Sequence, residues 1–177
     1  MKILSIGASS SSSSINQQFA DYAASQIASQ QDNAEVTSYA LHDLSLPIYS
    51  EDEEKQNGHP ADAQRFIDAI GNHDTVIISL AEHNGSYTAA FKNLYDWASR
   101  IEQKVWQDKP MLLLSTSPGP RGGATVLAAA EATFPRMGAD LKASFSLPGF
   151  YDHFSDDGIS DADLSSQFSN ALESLNQ

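Results

Sequence analysis

The sequence predicts a doubly wound α/β fold, in which a five-stranded parallel sheet carries helices on both faces. Two observations carry this prediction. Strand and helix patterns alternate along the whole chain, and the strand patterns at 75–80 and 111–115 are apolar without alternation. Such strands are typical of a parallel sheet that is covered on both sides. Five strands favour the order 2-1-3-4-5, which is flavodoxin-like, over a six-stranded dinucleotide-binding sheet.

Each element is assigned from its own pattern: strands from short apolar or β-branched runs, and helices from apolar residues at three- and four-residue spacing. The predicted strands are 2–6, 35–41, 75–80, 111–115 and 140–147. The predicted helices are 15–30, 61–71, 91–101, 124–137 and 161–175. Residues 43–60 form a long connection whose acidic run 51–54 is expected to be a solvated loop. The segment 148–160 is expected to be irregular. The length of the first of these suggests a functional or mobile segment.

Length and composition limit the classes of function. The chain has 177 residues, of which 41% are hydrophobic, and we expect one domain spanning 1–177. The net charge of −13 argues against nucleic acid or an anionic membrane as a partner. The absence of cysteine excludes disulfides and thiolate-bound zinc or iron–sulfur clusters. No apolar run approaches ~20 residues and the N-terminus reads as a strand, so we expect a cytoplasmic protein.

Three polar loops follow the first, third and fourth predicted strands and should meet at one edge of the sheet, where open α/β sheets bind ligands. The loop 81–87 contains Asn84-Gly85, which is a strong hairpin signal between two strands. Because a helix follows it, we favour an open strand-to-helix loop with Ser86 or Thr88 as the helix N-cap.

The loop 7–16 contains six consecutive serines before a helix start, where backbone N–H groups favour anions. It carries no lysine or arginine, and neither a P-loop motif nor a G-x-G-x-x-G motif is present. The best candidate ligand is a mononucleotide held by neutral donors. The alternative is a flexible serine-rich turn.

The loop 116–123 combines glycines, which allow close approach of a flat ligand, with prolines and Arg121. The alternative is a rigid turn with a solvated arginine. The five histidines lack metal-site spacing and no G-x-S-x-G elbow exists, so we expect no metal site and no catalytic triad.

Five motifs, in order and spacing from about residue 2 to 147, resemble the NADPH-dependent FMN reductase family, the flavodoxin-like quinone, azo and chromate reductases. They are Ser14-Ile15-Asn16, Leu46-Pro47-Ile48-Tyr49, Glu82-His83-Asn84-Gly85-Ser86-Tyr87, Lys92-Asn93-Leu94-Tyr95-Asp96-Trp97 and the segment 109–123. The chain departs from the family pattern in three places. Serine replaces a phosphate-binding arginine in the first loop, Ala81 replaces a proline, and His83 replaces a tyrosine.

The resemblance implies that the phosphate of FMN binds in the serine loop and that the flavin ring lies between the other two loops. The implied cofactor-binding residues are Ser9, Ser14, Asn16, Glu82, His83, Asn84, Gly85, Ser86, Ser117, Gly119 and Gly122. No residue of the chain is expected to be catalytic in its own right, because FMN carries the chemistry. NAD(P)H is the implied co-substrate, and a quinone-like or other small molecule is the implied acceptor.

Two further expectations concern partners. A non-enzymatic, flavodoxin-like electron carrier or flavin-binding module is the alternative function, since an acidic carrier suits basic partners. The apolar arc of the helix 91–101 is wider than one core-facing stripe needs. Either this helix is unusually buried, or Trp97 and its neighbours enter a homodimer or homotetramer, as the resemblance also implies.

Overall fold

The computed structural model describes residues 1–175. In chain order, the elements are β1 (Lys2–Ala8), α1 (Ile15–Ala28), β2 (Glu35–Ala40), α2 (Glu51–Asn57), α3 (Ala61–Gly71), β3 (Thr75–Leu80), β4 (Glu82–His83), β5 (Ser86–Tyr87), α4 (Ala89–Ile101), β6 (Lys109–Thr116), α5 (Ala124–Thr133), β7 (Ala139–Leu147), α6 (Phe150–His153), β8 (Phe154–Ser155), β9 (Gly158–Ile159) and α7 (Ala162–Ser174). The main sheet is parallel and has the order β2-β1-β3-β6-β7. This confirms the predicted order 2-1-3-4-5.

The two faces of the sheet bury separate apolar clusters because successive strand residues point to opposite faces. On β3, Ile77 joins the cluster under α1 and α7, while Val76 and Ile78 join the one under α3, α4 and α5. The side chains of β3 are therefore buried on both faces, as its unbroken apolar run indicated. No helix within residues 1–175 is long and apolar enough to cross a membrane.

The connection after β2 is more ordered than we expected. Its acidic run forms α2, whose first turn is capped by Ser50 Oγ, which accepts a hydrogen bond from the Glu53 N–H at 3.1 Å. Four acidic residues in a first turn complement the helix dipole. The expectation of a solvated loop at residues 51–54 was wrong because a short helix with a good cap needs no apolar stripe.

Two other segments also differ from the prediction. The predicted helix 124–137 ends at Thr133, and Phe134–Met137 continues as a tighter 3₁₀ turn containing Pro135. The segment 148–160, expected to be irregular, contains α6 and the antiparallel pair β8–β9. The last helix begins one residue later than predicted because Asp161 serves as its N-cap.

The wide apolar arc of α4 is explained by burial within one chain. Trp97 has no exposed surface, and its indole N–H donates to the Pro47 carbonyl at 2.8 Å. The ring of Tyr49 packs edge-on against it with centroids 5.0 Å apart. Asn93 adds bonds to the same segment, through the Pro47 carbonyl and the Tyr49 N–H. Residues 47–49 already cover Trp97 within one chain, so the width of the apolar arc needs no partner subunit, and self-association stays a prediction.

Candidate functional site

The loops after β1, β3 and β6 meet at the carboxyl edge of the sheet, as predicted, and enclose a cleft of about 260 Å³. A larger recess of about 480 Å³ adjoins it and shares Glu82 and Ser117. The cleft is lined by Ser9, Ser11, Ser13, Ser14, Ile15, Asn16, Ala81, Glu82, His83, Thr116, Ser117, Pro118 and Tyr151. The recess is lined by Glu82, Asn84, Gly85, Ser117, Gly119, Pro120, Arg121 and Gly123.

The serine loop is short because α1 begins directly against the end of β1. The Gly7 N–H donates to Gln17 Oε1 at 2.8 Å. A Cβ on Gly7 would lie 2.5 Å from the backbone of Gln17, so only glycine allows this approach. The start of α1 is thereby held at the wall of the cleft.

Ser14 is the N-cap of α1 and lies at the base of the cleft. Its Oγ accepts a hydrogen bond from the Gln17 N–H at 3.1 Å, and its carbonyl accepts one from the Gln18 N–H at 3.2 Å. The Gln18 bond is the first bond of the helix itself. Of the four N–H groups that a helix start leaves open, Gln17 donates to Ser14 Oγ and Ser14 donates to the Ser11 carbonyl at 3.2 Å. The N–H groups of Ile15 and Asn16 keep no intrahelical partner, and the Ser14 hydroxyl proton is free to be donated.

The side chain of Asn16 ties the serine loop to two strands. It is 3% exposed. Its Oδ1 accepts from Ser79 Oγ at 2.7 Å and from the Thr116 N–H at 3.1 Å, and its Nδ2 donates to the Thr116 carbonyl at 3.1 Å. Both oxygen lone pairs are occupied, so this side chain has one N–H left for a ligand. Its main role here is to fix the distance between the first and third loops.

The second loop is a hairpin. Strands β4 and β5 pair antiparallel, with φ of 53° at Asn84 and 74° at Gly85. Two positive φ values define a type I′ turn, for which Asn-Gly is the preferred pair. Our preference for an open loop was wrong, although Thr88 does cap α4 by accepting from the Phe91 N–H at 3.2 Å. A two-residue hairpin fits between β3 and α4 because it brings the chain back to the carboxyl edge of the main sheet, where α4 begins.

Only some of the hairpin residues that were predicted to bind the cofactor line the site. Glu82, His83, Asn84 and Gly85 line the cleft or the recess, whereas Ser86, which pairs with His83, lines neither. The Glu82 carboxylate accepts from the Val126 N–H at 3.0 Å. Because the N-cap of α5 is Gly123, which has no side-chain bond to offer, Glu82 supplies the missing cap and its negative charge complements the helix dipole.

Gly122 does not reach the cleft. Its carbonyl accepts from Ser115 Oγ at 2.8 Å and from Ser146 Oγ at 3.0 Å, and its N–H donates to Gly119. The predicted role of Gly122 in cofactor contact is therefore not supported by its position, which is a packing position under the loop. Ser117 and Gly119, in contrast, line the site as predicted.

Tyr151 is a lining residue that the sequence did not reveal, because it lies in the segment expected to be irregular. It belongs to α6 and is 71% exposed. Arg121 is the only lysine or arginine that lines the cleft or the recess. It forms no ion pair with the described carboxylates. Within residues 1–175 no group of three potential metal ligands comes together.

The strand order and the cleft at its carboxyl edge define a flavodoxin-like α/β protein. Residues 1–150 match the family described as NADPH-dependent FMN reductase, and the chain belongs to that family.

Similar proteins agree with this assignment. A quinone reductase of Escherichia coli is 34% identical over 79 residues, which cover 45% of this chain and 42% of that protein. The matched part is thus less than half the length of that reductase. An uncharacterised protein of Mycoplasma pneumoniae is 30% identical over 149 residues, covering 81% of this chain and 85% of that protein. The solved structure of FerB, a flavoenzyme NAD(P)H:(acceptor) oxidoreductase from Paracoccus denitrificans, shares the fold with a TM-score of 0.71 at 24% identity, covering 99% of this chain and 97% of FerB.

Proposed function

We propose that this protein is an FMN-containing oxidoreductase that takes hydride from NAD(P)H and passes it to a small, quinone-like acceptor. The observation that carries the proposal is the cleft at the carboxyl edge, where hydroxyls and open helix-start N–H groups line one end. Family membership and similarity to a quinone reductase support it.

The donors that the serine loop contributes to the cleft fit the phosphate of a mononucleotide. Ser9 and Ser14 offer hydroxyls, and the first turn of α1 offers the N–H groups of Ile15 and Asn16. These donors are neutral, but the partial positive charge of a helix start favours an anion there. The Glu82 carboxylate is the one acidic group of the lining, and its bond to Val126 draws it towards α5.

The hairpin and the third loop fit the flavin ring. Asn84 and Gly85 form one side of the recess, and Ser117 and Gly119 form the other. The type I′ turn fixes the Asn84 amide next to a position without a side chain. Bound FMN would supply the hydride chemistry, while these residues orient the ring and set its polar surroundings. His83 lines the cleft beside them and is proposed to border the exposed face of the ring.

The proposal also covers where the two substrates bind and how the protein assembles. NAD(P)H and the acceptor would use the larger recess in turn, because it adjoins the cleft at Glu82 and Ser117. We also propose a homodimer or homotetramer in the cytoplasm. The interface would involve surfaces other than Trp97, which is covered within the chain. Sedimentation at tens of micromolar tests this part, and a purely monomeric species contradicts it.

The activity test also separates the enzyme from an electron carrier. Protein reconstituted with FMN is mixed with NADPH or NADH, and oxidation of the nucleotide is measured with and without a simple benzoquinone. An enzyme oxidises the nucleotide catalytically and faster with the quinone. A carrier holds FMN but turns over neither nucleotide, and that outcome contradicts the proposed activity while leaving FMN binding intact.

A further inference from the structure

Tyr151 of α6 lines the cleft together with residues of the serine loop. Its side chain lines the same cavity as Ser11, Ser13 and Ser14, yet it is 71% exposed. Its ring packs edge-on against Phe150, with centroids 5.5 Å apart, so the exposed side chain is anchored on one side. The family match ends at residue 150, so Tyr151 lies outside the segment that defines the family.

The backbone around Tyr151 is fastened to the site itself. The Gly149 N–H donates to the Gly119 carbonyl at 2.9 Å, and the Phe150 N–H donates to the Ser117 carbonyl at 3.0 Å. Phe150 is buried, and its ring stacks on Phe154 with centroids 4.8 Å apart. The short helix α6 is therefore held against the third loop, which fixes the backbone of Tyr151 relative to the cleft.

The chemistry of the cleft creates a need for a further donor. Its lining contains no lysine or arginine, and the chain as a whole carries a net charge of −13. A phosphate bound there must be satisfied by hydroxyls and N–H groups. A phenolic hydroxyl is a donor on a long, stiff side chain, which can reach over a ligand from the rim.

We infer that Tyr151 is a phosphate ligand of the bound mononucleotide and that its hydroxyl donates a hydrogen bond to the phosphate. This inference rests on the proposed FMN binding. The phosphate would then be held by the serine loop and by Tyr151, and α6 becomes part of the cofactor site. The ligand class is a phosphorylated flavin, because riboflavin offers Tyr151 no anion.

The test compares FMN with riboflavin, which lacks the phosphate. Dissociation constants for both are measured on the full-length protein and on Tyr151→Phe, which removes only the hydroxyl. A hydrogen bond to a charged group predicts a rise of about tenfold in the FMN constant. The riboflavin constant should stay unchanged. Tyr22→Phe is the matched control, because Tyr22 lines neither the cleft nor the recess, and neither constant should change in it.

Three results overturn the inference. The first is an FMN constant for Tyr151→Phe within about threefold of the unaltered protein. The second is an equal loss for riboflavin, which would indicate a structural role. The third is an unaltered protein that binds neither flavin, which also removes the proposed function. Normal FMN binding that is insensitive to Tyr151→Phe removes only this inference. Melting temperatures confirm that each variant is folded, as expected for a change at an exposed side chain.

Discussion

Replacing Ser14 with alanine should separate the two tasks that the structure gives to one hydroxyl. Ser14 Oγ accepts the Gln17 N–H at 3.1 Å and caps α1, and its proton remains available for the phosphate. Loss of the cap costs about 1 kcal/mol of folding stability. Loss of a hydrogen bond to a charged phosphate, at a residue only 8% exposed, costs about 1.5–3 kcal/mol of binding free energy.

The second cost corresponds to an FMN affinity that is roughly ten- to over a hundredfold weaker. The assay is a titration of FMN against Ser14→Ala, with thermal melts of the same samples so that affinity refers to folded protein. Ser50→Ala is the matched control. Ser50 Oγ caps α2 through the Glu53 N–H, also at 3.1 Å, but lies outside the cleft.

Both variants should lose similar stability, and only Ser14→Ala should lose FMN affinity. The reasoning is refuted if Ser14→Ala binds FMN as tightly as Ser50→Ala does. It is also refuted if Ser14→Ala weakens riboflavin as much as FMN, because the effect would then not come from the phosphate.

Two further predictions concern residues that line the recess. Gly85→Val should lower both FMN affinity and stability, because a β-branched residue is strained at φ 74°. Gly85→Asn is the control, because asparagine tolerates that φ. Weaker FMN binding by Gly85→Asn at a normal melting temperature would place the loop against the flavin ring. Normal FMN binding by its folded fraction would remove the loop from the site. Arg121→Ala should raise the KM for NADPH several-fold and leave the FMN dissociation constant unchanged. The reason is that Arg121 is the only lysine or arginine that lines the recess, where it would attract an anionic nucleotide. A KM for NADPH that is unchanged at low salt would contradict this prediction.

The sequence predicted the sheet well because buried parallel strands leave an unmistakable pattern. Residues 75–80 and 111–115 are apolar on both faces, and both lie in the central part of the sheet. The order of strands followed from their number and from the helices between them. The convergence of three loops at one edge followed from that order.

The details of the site were harder to predict because they depend on neighbours distant in sequence. The hairpin at Asn84-Gly85 was judged from its flanks, and the helix that follows hid it. Gly122 looked like a cofactor contact, but its carbonyl is held by Ser115 and Ser146 from two strands. Tyr151 gave no signal at all, because its place at the cleft depends on backbone bonds to Ser117 and Gly119.

The role of Trp97 shows the same limit. An apolar arc on a helix predicts that something covers it, but not what. Here the cover is residues 47–49 of the same chain, held by the Trp97 indole N–H and by Asn93. The motif at 46–49 was visible in the sequence, and its partner was visible on α4, but nothing in either pattern joined them.

The central claim is that the cleft at the carboxyl edge binds one FMN per chain through its phosphate. Calorimetric titration of the purified full-length protein with FMN, followed by desalting and a flavin spectrum, tests it most directly. The account predicts saturable binding near one FMN per chain, retention of the yellow colour, and clearly weaker binding of riboflavin. A colourless protein with no measurable heat up to high micromolar FMN would contradict the account, and so would equal affinity for FMN and riboflavin.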